Sequence, residues 1–444
     1  MRTKPYSAYK ESEVRWIGPI PSHWTVKPIK WLSAVRRGAS PRPIDDQKYF
    51  AEDGEFAWVR IADVSSSGDY LETTTQRLSE LGSSLSVKLI PGSLFISIAG
   101  TVGKPCITKI KACIHDGFVY FPNLSQDPRF LLYIFLAGSA FAGLGKLGTQ
   151  LNLNTETVGN IIVPVPPPAE AAKICDFLDR ETAKIDTLIA KQTEFMTRLE
   201  EHRHAVINNA VTRGTDDSVA TKETRIYWMM QIPIHWIVGK IGRYYEVQLG
   251  KMLDGSCQTG NHLAPYLRVF DVQWGKINID NLPEMDFTAE DRKRFLLRSG
   301  DLLVNEGGSY VGRSAIWLSE LDECYYQKAL HRVRPRAGSD TNRFLFYIMY
   351  AATKLGVFVT GGNQTTIDHL TAEQFRQYRY PRPPYAEQIA IADYLDASML
   401  KIDAAHEQAT ALIAILGERR AALITAAVTG QIDVTEPAMA EAAA

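Results

Sequence analysis

Whatever the first half of this chain folds into, its second half must fold into as well, because the sequence contains one pattern twice. Ile20-Pro21-Ser22-His23-Trp24 returns 212 residues later as Ile232-Pro233-Ile234-His235-Trp236. Trp58-Val59-Arg60-Ile61-Ala62-Asp63-Val64 returns at an offset of 208 as Tyr266-Leu267-Arg268-Val269-Phe270-Asp271-Val272. At the same offset Pro91-Gly92-Ser93-Leu94-Phe95-Ile96 returns as Ser299-Gly300-Asp301-Leu302-Leu303-Val304. Gly100-Thr101-Val102-Gly103-Lys104 follows as Gly308-Ser309-Tyr310-Val311-Gly312-Arg313, with one residue inserted. Arg129-Phe130-Leu131-Leu132-Tyr133-Ile134 recurs as Arg343-Phe344-Leu345-Phe346-Tyr347-Ile348, and Gly148-Thr149-Gln150 as Gly362-Asn363-Gln364. The drifting offset places insertions in loops, so the two halves share a fold and differ in surface.

From Glu170 onward the offset settles at 217 and holds as far as Ala210-Val211-Thr212 and Ala427-Val428-Thr429. More than forty residues without an insertion describe a rigid helix, because one added residue turns everything beyond it by about 100°. Both segments follow prolines (Pro166-Pro167-Pro168 and Pro383-Pro384) and neither contains one. Phe177, Leu178, Ile185, Leu188, Phe195 and Leu199 fall on one stripe, matched by Tyr394, Leu395, Ile402, Leu412 and Leu416. At ~1.5 Å per residue each rod is about 65 Å long and must bury its stripe, either in an antiparallel coiled coil with the other copy or against its own domain.

Short β-branched and aromatic runs at 56–64, 94–98, 113–121, 266–272, 302–304 and 329–333 predict strands, and 129–144 and 343–355 predict helices. The expected class is α+β with an internal pseudo-two-fold duplication. Two similar globular α/β domains, 1–165 and 215–382, alternate with helical spacers at 166–214 and 383–430, and a tail covers 431–444. With 45% hydrophobic and 22% charged residues the chain reads as globular. Its most apolar window, 130–147, carries Gly138, Ser139, Gly143 and Lys146 and suits a core helix rather than a membrane span. Met1-Arg2-Thr3-Lys4-Pro5 leads into no apolar run, so a cytoplasmic protein without a secretion signal is expected. Cys106, Cys113, Cys175, Cys257 and Cys324 are odd in number and scattered, which predicts buried thiols rather than disulfides or a zinc site.

A search for catalysis yields little. Arg382-Pro383-Pro384-Tyr385 has the Pro-Pro-Tyr of amino-methyltransferases, but arginine cannot accept the hydrogen bond of a target amine, and no Gly-rich S-adenosylmethionine loop follows a strand. Asp280 and Asp291-Arg292-Lys293 offer the residue types of a metal-assisted hydrolase at a spacing near chance. His202 and His204 lie two apart on a helix, point to different faces and are expected to be solvated, so no metal ligand is assigned.

Net charge is −1, distributed as +4 over residues 1–166, −1 over 167–214, +2 over 215–384 and −6 over 385–444, which permits local contact with DNA. The informative residues stand in Gly-rich loops that recur. Lys104 and Arg313 end such loops, where a cation suits a phosphate or a guanine edge. Gln150 with Asn152, and Asn363 with Gln364, carry amides suited to adenine. Lys146, Arg36, Arg37 and Lys251 are candidate phosphate contacts. For any one of these, turn chemistry or a solvated charge competes; their recurrence as a set favours DNA. Arg60 and Arg268, three residues before Asp63 and Asp271 in strand-like runs, predict internal ion pairs.

The segment from Trp16 to Trp24 and its copy, Gly-Ser-Leu-Phe-Ile and Gly-Asp-Leu-Leu-Val, the Gly-Asn-Gln loop at 362–364, Pro-Pro-Tyr-Ala-Glu-Gln-Ile at 383–389 and Ala-Val-Thr-Gly-Gln-Ile-Asp at 427–433 together resemble the specificity subunit of type I restriction-modification systems. The resemblance covers nearly the whole chain in order. The first half departs from it where Ala169-Glu170-Ala171 stands against Ala386-Glu387-Gln388, which puts in doubt a strict functional role for the glutamine. The resemblance implies two target recognition domains, each reading one half of a split, asymmetric site in double-stranded DNA, held apart by two long antiparallel helices. It implies a non-catalytic chain that binds no cofactor and no membrane. Modification subunits, expected as a pair, would bind S-adenosylmethionine and methylate an adenine taken out of the stack. Restriction subunits would cut using ATP and Mg. The helices are also expected to dock the modification subunits, a reading motivated by the acidic C-terminal segment and its Ala404-Ala405, Ala421-Ala422 and Ala426-Ala427 pairs. Two other classes stay open: a non-DNA coiled-coil scaffold carrying two ligand-binding modules, with no salt-dependent DNA affinity, and a lone nuclease whose cleavage needs Asp291.

Overall fold

The structure, a computed structural model, describes residues 4–142, 144, 153–216, 218–252, 260, 262–336, 338–358 and 370–435. Lys146, Gln150, Asn152, Cys257, Asn363 and Gln364 lie outside the described residues. The chain divides into two compact units, Met1–Gln192 with Thr410–Ala444, and Thr193–Ala409. Each unit holds one globular half and part of each long helix. Among the described residues no helix is long and apolar enough to cross a membrane.

In the first unit a five-stranded sheet has the order Arg36–Arg37, Phe118–Tyr120, Leu94–Ser97, Pro105–Thr108, Tyr70–Leu71. A second sheet has the order Gln76–Leu78, Phe56–Val59, Ala112–Ile114, Val87–Leu89. Strand alternation divides the buried residues between two cores: Leu94, Ile96, Ile107 and Val119 face one, while Phe95, Cys106 and Phe118 face the other. That is why Leu94–Ser97 is buried throughout and reads as a continuous apolar run.

The second unit repeats this arrangement. Its four-stranded sheet has the order Tyr245–Leu249, Leu330–Pro335, Leu302–Asn305, Ser314–Ile316. Its second sheet has the order Glu284–Asp286, Leu263–Leu267, Tyr325–Tyr326, with one antiparallel and one parallel pairing as in the first unit. Leu302 and Val304 face one core, Leu303 and Ala315 the other.

The long helices are Pro168–Arg213 and Tyr385–Val428. Pro168 opens the first, where a missing N–H is harmless. Three repeated devices seat the helices, each within one unit. Trp24 Nε1–H donates to Glu170 Oε1 at 2.9 Å and His23 Nε2 meets Oε2 at 2.8 Å, with Tyr6 Oη donating to the same carboxylate at 2.7 Å. Trp236 and His235 hold Glu387 in the same way, at 3.0 and 2.8 Å. Next, Arg129 pairs with Asp176 and Asp179 while Tyr133 Oη donates to Asp179, and Arg343 pairs with Asp393 and Asp396 while Tyr347 Oη donates to Asp396. Finally, Arg420 meets Asp186 at 2.9 Å in the first unit, and Arg203 meets Asp403 in the second. In each unit the portions of the two helices run antiparallel: Gly430 lies against Trp24 beside Glu170 in the first, and Gly214 against Trp236 and Glu387 in the second.

Several expectations need correction. Strand 56–64 stops at Val59 and a helix, Ile61–Ser66, follows, because the Asp63 carboxylate accepts from the Arg60 backbone N–H at 2.9 Å and caps it. Asp271 does the same for Arg268 at 2.7 Å ahead of a 3₁₀ turn, and their side chains form the expected ion pair at 2.9 Å. The helix expected at 129–144 ends at Leu136, since Gly138 takes φ +74°. Of the helix stripes, Leu188, Phe195, Tyr394 and Leu412 are exposed, while Phe177, Leu178, Ile185, Leu395, Ile402 and Leu416 are buried. Ala427, one of the alanines named for docking the modification subunits, is fully buried. His202 is exposed, but His204 is only partly so: it stacks on Tyr350 with ring centroids 5.4 Å apart. At the start of the tail, Asp433 N–H donates to the Lys4 carbonyl at 2.8 Å. Cys106, Cys113, Cys175 and Cys324 are buried free thiols, and burial pushes Cys113 up to about 11.

Candidate nucleic-acid interface

Arg36 and Arg37 form the exposed edge strand of the first unit's five-stranded sheet. Arg36 stands opposite Tyr120, and Arg37 Nε donates to the Asp116 carbonyl at 2.5 Å. Lys104 Nζ donates to the carbonyls of Ser65 and Ser67 at 3.2 and 2.6 Å, so its charge sits at the end of the short helix Ile61–Ser66. Its counterpart Arg313 donates to Gln273 Oε1 at 2.5 Å and lies over the Tyr310 ring. Ser65 and Gln273 are themselves repeat partners, 208 residues apart, so both glycine loops are tied to the same element.

Lys251 is not presented to a phosphate. Its Nζ donates to Asp291 Oδ2 at 2.6 Å and to the Asp286 carbonyl at 2.7 Å, and it lies over the Phe287 ring. Burial opposes ionisation of Asp291, but hydrogen bonds from Lys251 and Thr288 outweigh it and hold the carboxyl below its usual range. Asp291 also caps the helix Ala289–Phe295, so the residue considered for hydrolysis has structural partners.

The sequence reading missed a basic groove. A groove of about 850 Å³ in the second unit is lined by Lys293, Arg294, Arg332, Arg334, Arg336 and Arg376. Glu246, Glu306 and Glu373 also line it, leaving the cations in excess by three. The three central arginines alternate along and just beyond the strand Leu330–Pro335, and a period of two puts them on one face. Arg334 is anchored to buried Asp301, with Nη2 to Oδ2 at 2.7 Å. Arg332 is 3% exposed: its Nη1 donates to the Arg294 carbonyl at 2.9 Å and its Nη2 to Glu246 Oε1 at 2.9 Å and to Gln248 Oε1. Its Nε is buried without a hydrogen-bond partner among the described residues. Lys293, Arg294, Arg336 and Arg376 are exposed around this fixed floor. A concave cluster of cations beside fixed polar groups is what a phosphate backbone with base edges behind it requires.

Comparison with known proteins assigns the fold. The family model described as the type I restriction modification DNA specificity domain matches residues 21–194 and again 233–413. The EcoBI specificity subunit of Escherichia coli is 22% identical over 292 residues, 64% of this chain and 61% of that one. The match thus spans about three fifths of that relative's length. The StySPI specificity subunit of Salmonella potsdam is 19% identical over 94% of this chain and 90% of its own. Among solved structures, a chain from a study of complex assembly and conformational transition of the type I R-M system superposes with a TM-score of 0.71 at 16% identity, covering 92% of this chain and 98% of that one. The HsdS subunit from Thermoanaerobacter tengcongensis gives 0.52 at 16% identity, covering 93% and 98%. With both halves matched by the same family model, the chain belongs to the type I restriction-modification DNA specificity domain family and carries that domain twice.

Proposed function

We propose that this chain is the DNA-recognition subunit of a type I restriction-modification complex. Each globular half reads one half of a split, asymmetric site, and the long helices set the spacing and dock a pair of modification subunits. The observation that carries this reading is the duplication of one specificity domain, with the same order of central strands, under different polar surfaces. Specificity subunits are in general non-catalytic parts of their complexes, and this chain is assigned no catalytic group or cofactor. S-adenosylmethionine would be bound by the modification subunits, and ATP with Mg by restriction subunits. Arg36, Arg37, Lys104, Arg313 and the groove cations serve the DNA, with Lys146, Gln150, Asn152, Asn363 and Gln364 as further candidates. Docking through the helices is supported by exposed Leu188, Phe195, Leu400, Leu412 and Ile415. Charge reversal at Glu407 and Glu418 with bulky residues at Ala422 and Ala426 should weaken assembly, and unchanged assembly sinks that part.

The test is base-resolution methylation sequencing of DNA from cells expressing the chain with its modification subunit, against cells lacking only this chain. A split adenine-methylated motif should vanish in the control, and exchanging residues 215–382 should change one half of it. If no motif depends on the chain while the modification subunit is active, the reading is wrong.

A further inference from the structure

Resting on that reading, the structure assigns the choice of bases in the second half-site to Glu246 and Gln248, with Arg332 as the residue that positions both. All three lie on the edge strand Tyr245–Leu249 and its neighbour Leu330–Pro335 in the four-stranded sheet, facing the basic groove. Gln248 stands opposite Arg332, and Glu246 opposite Arg334.

Arg332 limits what these two side chains can say to a base. Because its Nη2 donates to Gln248 Oε1, the amide oxygen is engaged, and Nε2 makes no hydrogen bond among the described residues. Gln248 therefore offers donors, which suit the N7 and O6 of guanine, the N7 of adenine or the O4 of thymine. Glu246 gives one oxygen to Arg332, and its Oε2 makes no hydrogen bond among the described residues. It offers an acceptor, which suits the amino group of cytosine or adenine. Both are bonded to one nitrogen of a buried guanidinium, so they are fixed side by side, within reach of neighbouring base pairs. The exposed Lys293, Arg336 and Arg376 around them suit phosphates and carry no sequence preference.

The first unit carries different chemistry at the same place. An offset of 212 relates Arg36 to Gln248, Tyr120 to Arg332 and Ala34 to Glu246, and Arg36 opposes Tyr120 in the same register. The frame is shared down to the glycine that ends each edge strand. A Cβ on Gly38 would sit 2.2 Å from the His115 carbonyl oxygen, and one on Gly250 would sit 2.3 Å from that of Gln327. One frame thus presents an arginine in the first unit, suited to guanine, and a glutamine with a glutamate in the second.

The test uses the full complex with its modification subunits. Its readout is the ratio of methylation at the wild-type motif to methylation at sites differing by one base pair in one half, so a general loss of activity or folding cancels. Gln248→Glu and Glu246→Gln should each lower that ratio about tenfold at one or two adjacent positions of one half-site. Arg36→Gln should do so in the other half. Lys293→Ala and Arg336→Ala should lower methylation at all sites and leave the ratio unchanged. If Gln248→Glu and Glu246→Gln leave the ratio unchanged while the motif still depends on the chain, the assignment is overturned and the recognition role stands. A motif indifferent to the whole chain would instead overturn the recognition role.

Discussion

His331 makes the second unit sensitive to acid, by an amount that can be worked out. It is fully buried on the strand that carries the groove arginines, beside Arg332 and against Phe375. Its Nε2 lies 2.6 Å from the Leu370 carbonyl oxygen, which can only accept, so that nitrogen carries the proton of the neutral ring. Nδ1 is buried without a partner among the described residues, so a second proton there would meet no acceptor among them. Burial pushes the imidazole down to about 4, against about 6.5 in an unfolded chain. Between those values the unfolded chain binds a proton that the folded one excludes. The contribution is therefore fully present above about pH 6.5 and is lost as pH falls toward 4. From about pH 7.5 to pH 5 the loss is about 2 kcal/mol. Urea unfolding of the wild type and His331→Gln at both pH values isolates it, since the glutamine amide keeps a donor for Leu370 and the carboxylates are common to both. The variant should lose about 2 kcal/mol less than the wild type on acidification. Equal losses would refute a neutral buried imidazole. Because Leu370 precedes the helix Ala372–Gln377, which carries Glu373 and Arg376 into the groove, acid should loosen that wall first.

Three further outcomes follow from the repeated contacts. Gly38→Ala and Gly250→Ala force a methyl into a backbone carbonyl, and each should cost about 3 kcal/mol or more in urea unfolding; a variant within about 1 kcal/mol of wild type contradicts the close approach. Trp24→Phe and Trp236→Phe each remove an indole N–H from a carboxylate and should destabilise their units by about 1.5–3 kcal/mol, to a similar extent because the two geometries match. Tyr347→Phe and Arg343→Ala share Asp396 as partner, so a double-mutant cycle should show a coupling near 1 kcal/mol, and additive effects would argue against the shared site.

The duplication and the two long helices were legible because repetition and intolerance of insertion are properties of the sequence itself. The Ile-Pro-x-His-Trp segment was recognisable as a repeat, but its role was not: the carboxylate that Trp24 and His23 hold lies some 146 residues further on. Arg60 and Asp63 were paired correctly and placed wrongly, since an arginine ahead of a helix gives none of the Ser or Thr signal that marks a cap. The arginine groove was half visible. Arg332, Arg334 and Arg336 recur at strand period, whereas Lys293, Arg294 and Arg376 come from distant segments that only tertiary packing brings together. Lys251 was misjudged for the same reason, its partner Asp291 being 40 residues away.

The two units also differ in when they can be completed during synthesis. The second is one continuous stretch, Thr193–Ala409, and has all its residues as soon as that stretch leaves the ribosome. The first needs Ile424, Ala427 and Val428 to close a core begun by Ile17 and Trp24. At ~5–20 residues per second, Met1–Gln192 waits roughly 10–50 s for that helix. Through that interval the face that will receive Ile424 and Val428 stands open, so the half translated first is the half finished last.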